Sequence, residues 1–316
     1  MKFVGIDLAW GEHKPSGAAI INEGGIIERA RADLRTTEEI CDFAGLASGN
    51  GAVIAIDAPL IVKNLTGQRP VEFQLTSIFA RYDAGPHSSN RSNPNFQESG
   101  KTQRMARLLH DLGYRQQIAP VKQQAQQTLL EVFPAPALVI LFPCHLHSTH
   151  THCRPPRYKH KRDRSWPELC SEWEIYRARL RSLECREPVL KFSPEVKKQI
   201  GIDITEFKGG RYKQFDDLLD GIFCAYLAYY FWYGGSDRTW VIGDLETGCV
   251  TLPRCRLSNC PLHANAMLAL RCPGLNRRPP GVSRAIPPSV DSREIPPRFR
   301  TGHLVVALRS TQVGEF

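Results

Sequence analysis

Five carboxylates stand where apolar segments end or where a buried helix begins. Asp7 and Asp57 close two apolar runs, Asp217 and Asp220 lie near the start of an apolar helix, and Glu131 lies in LLEVF. A spacing of three places Asp217 and Asp220 on one helix face. An ionised carboxylate in apolar surroundings costs several kcal/mol unless a cation or donors meet it. Oxygen ligands of this kind suit Mg²⁺ or Mn²⁺, so the pattern predicts a divalent-metal site.

Each acid also has a simpler interpretation. Asp57, before Ala-Pro, could begin a turn. Asp216 and Asp217 could be first-turn acids stabilised by the helix dipole, an explanation that fits Asp216 better. Glu131 is the weakest of the five and could pair with an arginine. The chain order of two strand-end aspartates followed by Asp-x-x-Asp on a buried helix favours the metal site.

The elements that must position these acids predict a mixed α/β fold. Three strands joined by hairpins are indicated by KFVGIDLAW, GAAIINEGG and IIERARADL. Thr36 or Thr37 caps a helix, and a buried strand follows in AVIAIDAPL. The segment LLEVFPAPALVILF predicts a strand and then a helix, and residues 167–187 a charged surface helix. Residues 215–233 predict a buried helix, in which Gly221 permits close approach to the sheet.

Residues 62–121 are polar, broken by glycine and proline, and predict an insertion with helices near 72–82 and 101–112. Side chains of this region could bind a phosphate or a base near the strand ends. A solvated loop held by its own hydrogen bonds is the alternative. The candidates for substrate binding are Lys63, Arg69, Arg81, His87 and Arg91.

A His- and Arg-rich loop is predicted over residues 144–165. Its first part, CHLHSTHTHC at 144–153, could bind Zn²⁺, but no second ligand cluster accompanies it, which favours adventitious binding. Its second part, RPPRYKHKRDR, combines basic residues with Tyr158 and could meet phosphate and stack on a base. A plain solvated loop is the alternative for this basic stretch.

The positive charge of the chain is unevenly distributed. The formal net charge is +9, of which residues 254–316 carry +7, leaving +2 for residues 1–253. This Arg- and Pro-rich tail shows no helical or strand period, so we expect it to be disordered. The composition of residues 1–253 is that of one folded domain. No apolar run reaches about 18 residues and the start is too polar for a signal peptide, so we expect a cytoplasmic protein without a membrane partner.

Several segments together resemble an uncharacterised family described as predicted nucleases with an RNase H-like fold. They are GIDLAW, IAIDAPL, NLTGQRPVE, LLEVFPAPAL and DDLLDGIFCAYLA, and the resemblance covers residues 1–253. It implies a five-stranded mixed sheet flanked by helices, with metal-binding acids on the first strand, the fourth strand and the final helix. At the matching positions these acids are Asp7, Asp57, Asp217 and Asp220. The arrangement is similar to that of Holliday-junction resolvases, whose last helix also carries Asp-x-x-Asp.

The activity implied is hydrolysis of nucleic-acid phosphodiesters by two metal ions, with DNA and RNA both open as substrates. Asp7 would bridge the ions, Asp57 and Asp220 would hold one each, and Asp217 or Glu131 would complete a shell. Two other classes remain as alternatives. One is a nucleotide-dependent phosphotransferase of the actin and sugar-kinase type, and the other is a nucleic-acid-binding module without catalysis.

Overall fold

A central mixed sheet organises the chain in the computed structural model, which describes residues 1–48, 51–124, 127–142, 154–159, 164–205, 207 and 210–254. Its strands are β1 (Lys2–Asp7), β2 (Ser16–Asn22), β3 (Ile26–Leu34), β4 (Ala52–Asp57), β5 (Arg115–Gln116), β6 (Thr128–Glu131) and β7 (Lys191–Phe192). A separate hairpin joins β8 (Thr239–Asp244) to β9 (Gly248–Pro253).

The strand order in the sheet is β5–β6–β4–β1–β2–β3–β7. The first three strands form two antiparallel hairpins, as the sequence predicts, and β4 runs parallel to β1. On the far side of β4, β6 and β5 continue in parallel, while β7 runs parallel to β3. The mixed sheet is confirmed, but it has seven strands rather than five. The two additional strands lie at the edges and have two residues each, too few to produce a period in the sequence.

Helices cover both faces of this sheet. They are α1 (Thr37–Ala44), α2 (Pro70–Phe79), α3 (Lys101–Asp111), α4 (Pro134–Leu141), α5 (Trp166–Ser182), α6 (Pro194–Ile200) and α7 (Gly210–Gly234). Because side chains alternate along a strand, Phe3 of β1 packs into the core under α7, whereas Val4 and Ile6 pack into a second core with α1 and α3. The period-two pattern therefore decides which core each strand residue enters.

The predicted helix boundaries agree with the structure at two places. Thr36 caps α1, with its hydroxyl accepting from the backbone N–H of Glu39 at 3.0 Å and its own N–H donating to the Glu39 carboxylate at 3.2 Å. The two helices expected in the insertion are α2, followed by a short 3-10 turn, and α3.

The longest helix, α7, begins at Gly210, five residues before the predicted start. Asp216 and Asp217 therefore lie beyond its first turn, where the helix dipole no longer accounts for them. Glycines let α7 approach the sheet backbone to backbone. A Cβ on Gly5 would lie 1.9 Å from the backbone nitrogen of Ala225, and one on Gly17 would lie 1.8 Å from the carbonyl oxygen of Asp217.

Some predictions concern parts of the chain that the structure does not describe. The His- and Cys-rich cluster at 144–153 and residues 255–316 of the tail lie outside the described residues. Within the described ranges, no helix combines the length and the apolar character that a membrane span needs.

Candidate active site

Two aspartates stand side by side at the carboxyl ends of the central strands. Asp7 of β1 and Asp57 of β4 are register partners in a parallel pair, so their Cα atoms lie about 5 Å apart and their side chains point to the same face. That face is the one covered by α7, because Asp7 has the parity of Phe3 and Gly5. The sequence predicts both positions, and the sheet brings them together.

Helix α7 carries two more aspartates to the same place. Gly17 pairs with Asp7 across the hairpin, and the carbonyl of Asp217 lies directly against Gly17. Asp220 follows three residues later, and Gly221 packs against the backbone of β2. The predicted close approach at Gly221 is therefore present. We refer to Asp7, Asp57, Asp217 and Asp220 together as the aspartate cluster.

Burial and mutual repulsion disfavour the ionised forms of the aspartates in the cluster. Burial, and then the negative charges of Asp220 and Asp217, hold the pKa of Asp7 well above its usual value. Burial, and then the charge of Asp7, do the same for the pKa of Asp57. Burial also raises the pKa of Asp217. Raised values of this kind at a strand-end pocket are typical of functional sites.

Two lysines partly compensate this charge. Nζ of Lys159 lies 3.4 Å from Oδ2 of Asp220, and Lys213, one turn before Asp217 on α7, forms an ion pair with Asp217. Both lysine side chains are more than half exposed, whereas the two aspartates are buried. Sequence analysis missed both roles, and the i, i+4 spacing of Lys213 and Asp217 was the signal available for the second.

Asp220 is held in one orientation by two tyrosines. The hydroxyl of Tyr158 donates to Oδ1 of Asp220 at 2.5 Å, and that of Tyr176 on α5 donates to the same oxygen at 2.9 Å. Tyr158 is buried, so it is not the open stacking surface that the basic stretch suggested. The other oxygen, Oδ2, is also buried and has no hydrogen-bond partner among the described residues.

Asp216 belongs to a different environment from its neighbour. Its Oδ1 accepts a hydrogen bond of 2.6 Å from the indole N–H of Trp173 on α5. Burial raises the pKa of Asp216 to about 8. At neutral pH Asp216 is therefore largely protonated and adds little charge to the cluster.

Glu131 does not join the aspartate cluster. It is the register partner of Ile56, whose side chain packs into the core on the opposite face of the sheet. Both carboxylate oxygens of Glu131 accept from the guanidinium of Arg69, at 2.6 and 3.2 Å, and one also accepts from the N–H of Leu60 at 2.8 Å. Glu131 lines the same cavity as Asp7 and Asp57, but its carboxylate is bound to Arg69. The ion-pair interpretation of Glu131 is therefore the one that the geometry supports.

Four of the five N–H groups of the Arg69 side chain donate hydrogen bonds within the protein. Its Nε donates to Glu72 at 2.8 Å, and Nη1 also donates to the carbonyl of Ile61 at 3.0 Å. The side chain is buried with Glu72 and Glu131. Arg69 therefore ties the insertion to the end of β6.

A cavity of about 170 Å³ opens beside the two strand ends. Of the predicted substrate-binding residues, His87 and the ion-paired Arg69 line it. Trp10 also lines it and packs edge-on against His87, with ring centroids 6.5 Å apart. Asp7, Asp57 and Lys159 form part of the same wall. The cavity therefore combines acids, one lysine side chain and aromatic surface.

The remaining predicted contacts lie elsewhere. Arg81 stacks over the ring of Tyr82, and Arg91 donates to the carbonyl of Val62 and to Glu98, each at 2.9 Å. Lys63 is exposed. None of Lys63, Arg81 and Arg91 is among the described residues that line the cavity.

The donor set fits a hard divalent ion. Oδ2 of Asp217 and Oδ2 of Asp220 are buried without hydrogen-bond partners in the described part of the chain, and such oxygens favour a cation. Among the described residues, no group of three or more His, Cys, Asp or Glu side chains already stands in a metal-binding arrangement. The four carboxylates would therefore have to close around an ion.

Fold and site together define a mixed α/β protein with an acidic pocket at the ends of its central parallel strands. The chain belongs to the family described as protein of unknown function (DUF429), whose model matches residues 5–243. No curated protein and no solved structure matches the chain at a significant level.

Proposed function

We propose that this protein is a divalent-metal-dependent phosphodiester hydrolase, a nuclease, that uses Mg²⁺ or Mn²⁺. The observation that carries the proposal is that Asp7 and Asp57, which line the cavity, lie within electrostatic range of Asp220, with Asp217 also acting on Asp7. Burial and mutual repulsion favour the protonated forms of Asp7 and Asp57, and a divalent ion would replace those protons and stabilise the carboxylates beside the two lysines. Acids at such positions are suited to phosphoryl chemistry, where positioning and charge neutralisation supply most of the catalysis.

The sheet supports an RNase H-like classification. Its five longer strands have the order β3–β2–β1–β4–β6, with the first three antiparallel and the last two parallel to β1. The acids stand on the first strand, on the fourth strand and on the long helix α7, as the resemblance implies. In this interpretation β5 and β7 are short additions at the edges.

The reaction would be attack of water on a phosphodiester. A bound divalent ion would lower the pKa of water and stabilise charge on the phosphate. Asp7, Asp57, Asp217 and Asp220 would hold the ion. The water oxygen forms a bond to phosphorus as the ester P–O bond breaks. One proton of the water passes through a carboxylate of the cluster to the leaving oxygen, which yields one phosphomonoester and one hydroxyl end.

Other residues of the cavity would bind the substrate. The ammonium of Lys159, which lines the cavity, would attract the phosphate backbone, and Trp10 with His87 would offer a surface on which a base or sugar could pack. Arg69 and Glu131 would act indirectly, by fixing the insertion that forms one wall.

The test is a Mn²⁺-dependent cleavage assay on single-stranded, duplex and branched DNA and on RNA. Asp7→Asn should abolish cleavage while the protein remains folded by circular dichroism. Asp42→Asn is the matched control, because Asp42 is an exposed acid on α1, and this variant should cleave like wild type. Full cleavage by Asp7→Asn would remove the cluster from the mechanism. ATP hydrolysis measured in parallel, without cleavage of nucleic acid, would instead favour a phosphotransferase.

A further inference from the structure

We propose that the ammonium group of Lys159 is the second cation of the site, so that the enzyme requires one divalent ion rather than two. This inference rests on the proposed function and deepens it. The ammonium group of Lys159 already forms an ion pair with Asp220, one of the expected metal ligands. Lys159 also lines the same cavity as Asp7 and Asp57.

Lys159 is placed against the oxygen that a second ion would need. Its Nζ lies 3.4 Å from Oδ2 of Asp220. A Mg²⁺ ion would have to approach that oxygen to roughly 2.1 Å, with the ammonium group beside it. The charge of Lys159 also acts on Asp7 and Asp57. Two cations of a two-metal site stand only about 4 Å apart, so the ammonium is within the space that the second ion would use.

The surroundings of Asp220 keep this contact in place. Tyr158 and Tyr176 both donate to Oδ1, which leaves Oδ2 for a cation. Because Tyr158 immediately precedes Lys159, the hydrogen bond that orients Asp220 also brings the ammonium to it. The carboxylate and its counter-charge are therefore positioned by adjacent residues of one short segment.

That segment, Arg154–Lys159, is anchored at several points. Arg154 forms an ion pair of 2.5 Å with Glu172 on α5, and the backbone N–H of Arg157 donates to the same carboxylate at 2.7 Å. The side chain of Arg157 forms a second ion pair, of 2.8 Å, with Asp83. Lys159 therefore stands at the end of a segment that is fixed to α5 and to Asp83. Its side chain is 57% exposed.

The charges of the site balance with one ion. Once a divalent ion has displaced their protons, the four aspartates of the cluster and the two lysines paired with them leave two negative charges. One divalent ion neutralises these, whereas two would leave two positive charges in a partly buried pocket.

In the reaction, the ammonium would stand against the leaving oxygen. It would stabilise the negative charge that builds there as the ester P–O bond breaks, a contribution that a second ion makes in two-metal enzymes. Removing one preorganised positive group of this kind lowers rates about 100-fold to 1,000-fold.

The experiment is a titration of the full chain with Mn²⁺ alone, with bound ions counted by calorimetry and by the electron paramagnetic resonance signal of free Mn²⁺. Wild type should bind one ion per chain and Lys159→Met two. Lys159→Arg retains the charge and should bind one. Lys191→Met is the control, because it removes a charge from an exposed side chain on the edge strand β7, and it should also bind one. Thermal unfolding verifies that each variant is folded.

Cleavage by Lys159→Met at low Mn²⁺ should fall about 100-fold and should recover when the Mn²⁺ concentration is raised, because a second ion then enters. Two ions bound by wild type with cleavage intact would overturn the role of Lys159 and leave the nuclease proposal standing. A single ion bound by Lys159→Met would also overturn it. Absence of Mn²⁺ binding together with absence of cleavage would refute both this inference and the proposed function.

Discussion

Replacing Gly17 with alanine should force α7 away from the sheet. The added Cβ would lie 1.8 Å from the carbonyl oxygen of Asp217, and an ordinary contact needs about 3.4 Å, so the helix must retreat by roughly 1.6 Å. Both partners are backbone, which leaves no side chain to rotate away. Overpacking of this kind lowers the free energy of unfolding by about 1–3 kcal/mol. The retreat also carries Asp217 and Asp220 away from Asp7, and a misplacement of about 1 Å can cost about 100-fold in rate.

Urea unfolding and Mn²⁺-dependent cleavage measure the two effects of Gly17→Ala separately. The matched control is Gly51→Ala, where the added Cβ meets nothing within 4 Å and stability should stay within about 0.5 kcal/mol of wild type. Wild-type stability and wild-type cleavage in Gly17→Ala would refute the argument that backbone contact between α7 and the sheet positions the aspartates.

Three further predictions concern the elements around the site. Glu131→Gln should lower the free energy of unfolding in urea by about 1–3 kcal/mol, because an amide has one acceptor oxygen where Arg69 and the N–H of Leu60 now meet two, and an unchanged stability would contradict the ion-pair interpretation. Thr36→Ala should cost about 1 kcal/mol in thermal unfolding, since it removes the cap of α1, and an unchanged melting temperature would argue against the cap. Glu172→Gln should cost about 1–2 kcal/mol at pH 7. Burial of Glu172 works in the opposite direction, but hydrogen bonds from Arg154 and from the N–H of Arg157 outweigh it and hold the pKa of Glu172 below its usual 4.5. Because the pKa is lower in the folded chain, the stabilisation is complete above about pH 4.5 and is lost as the pH falls through the folded value. The stability difference between wild type and Glu172→Gln should therefore shrink below pH 4.5, and a difference that grows there would contradict this sign.

The positions of Asp7 and Asp57 could be predicted because each ends an apolar run. The local hydrophobic pattern is enough to locate the end of such a strand. Glu131 could not be separated from them in the same way. Its strand is as apolar as theirs and it lines the same cavity, so only its register against Ile56 and its ion pair with Arg69 set it apart. Pairing register is a property of the assembled sheet.

The start of α7 was missed because its first turn, GRYKQ, is polar and gives no apolar stripe. The roles of Tyr158 and Lys159 depend on a contact between residues about sixty positions apart. Composition marked their segment as basic, but nothing in its own sequence indicated that it would enter the acidic pocket. The edge strands β5 and β7 were missed because two residues carry no period.

The most direct measurement is an anomalous difference map from a crystal of the protein soaked in Mn²⁺. We predict a peak within roughly 2.0–2.3 Å of carboxylate oxygens of Asp7 and Asp57, on the side facing Asp217 and Asp220. Absence of a peak at this position in a crystal that contains Mn²⁺ elsewhere, or carboxylates that stay bound only to Lys159 and Lys213, would contradict the account.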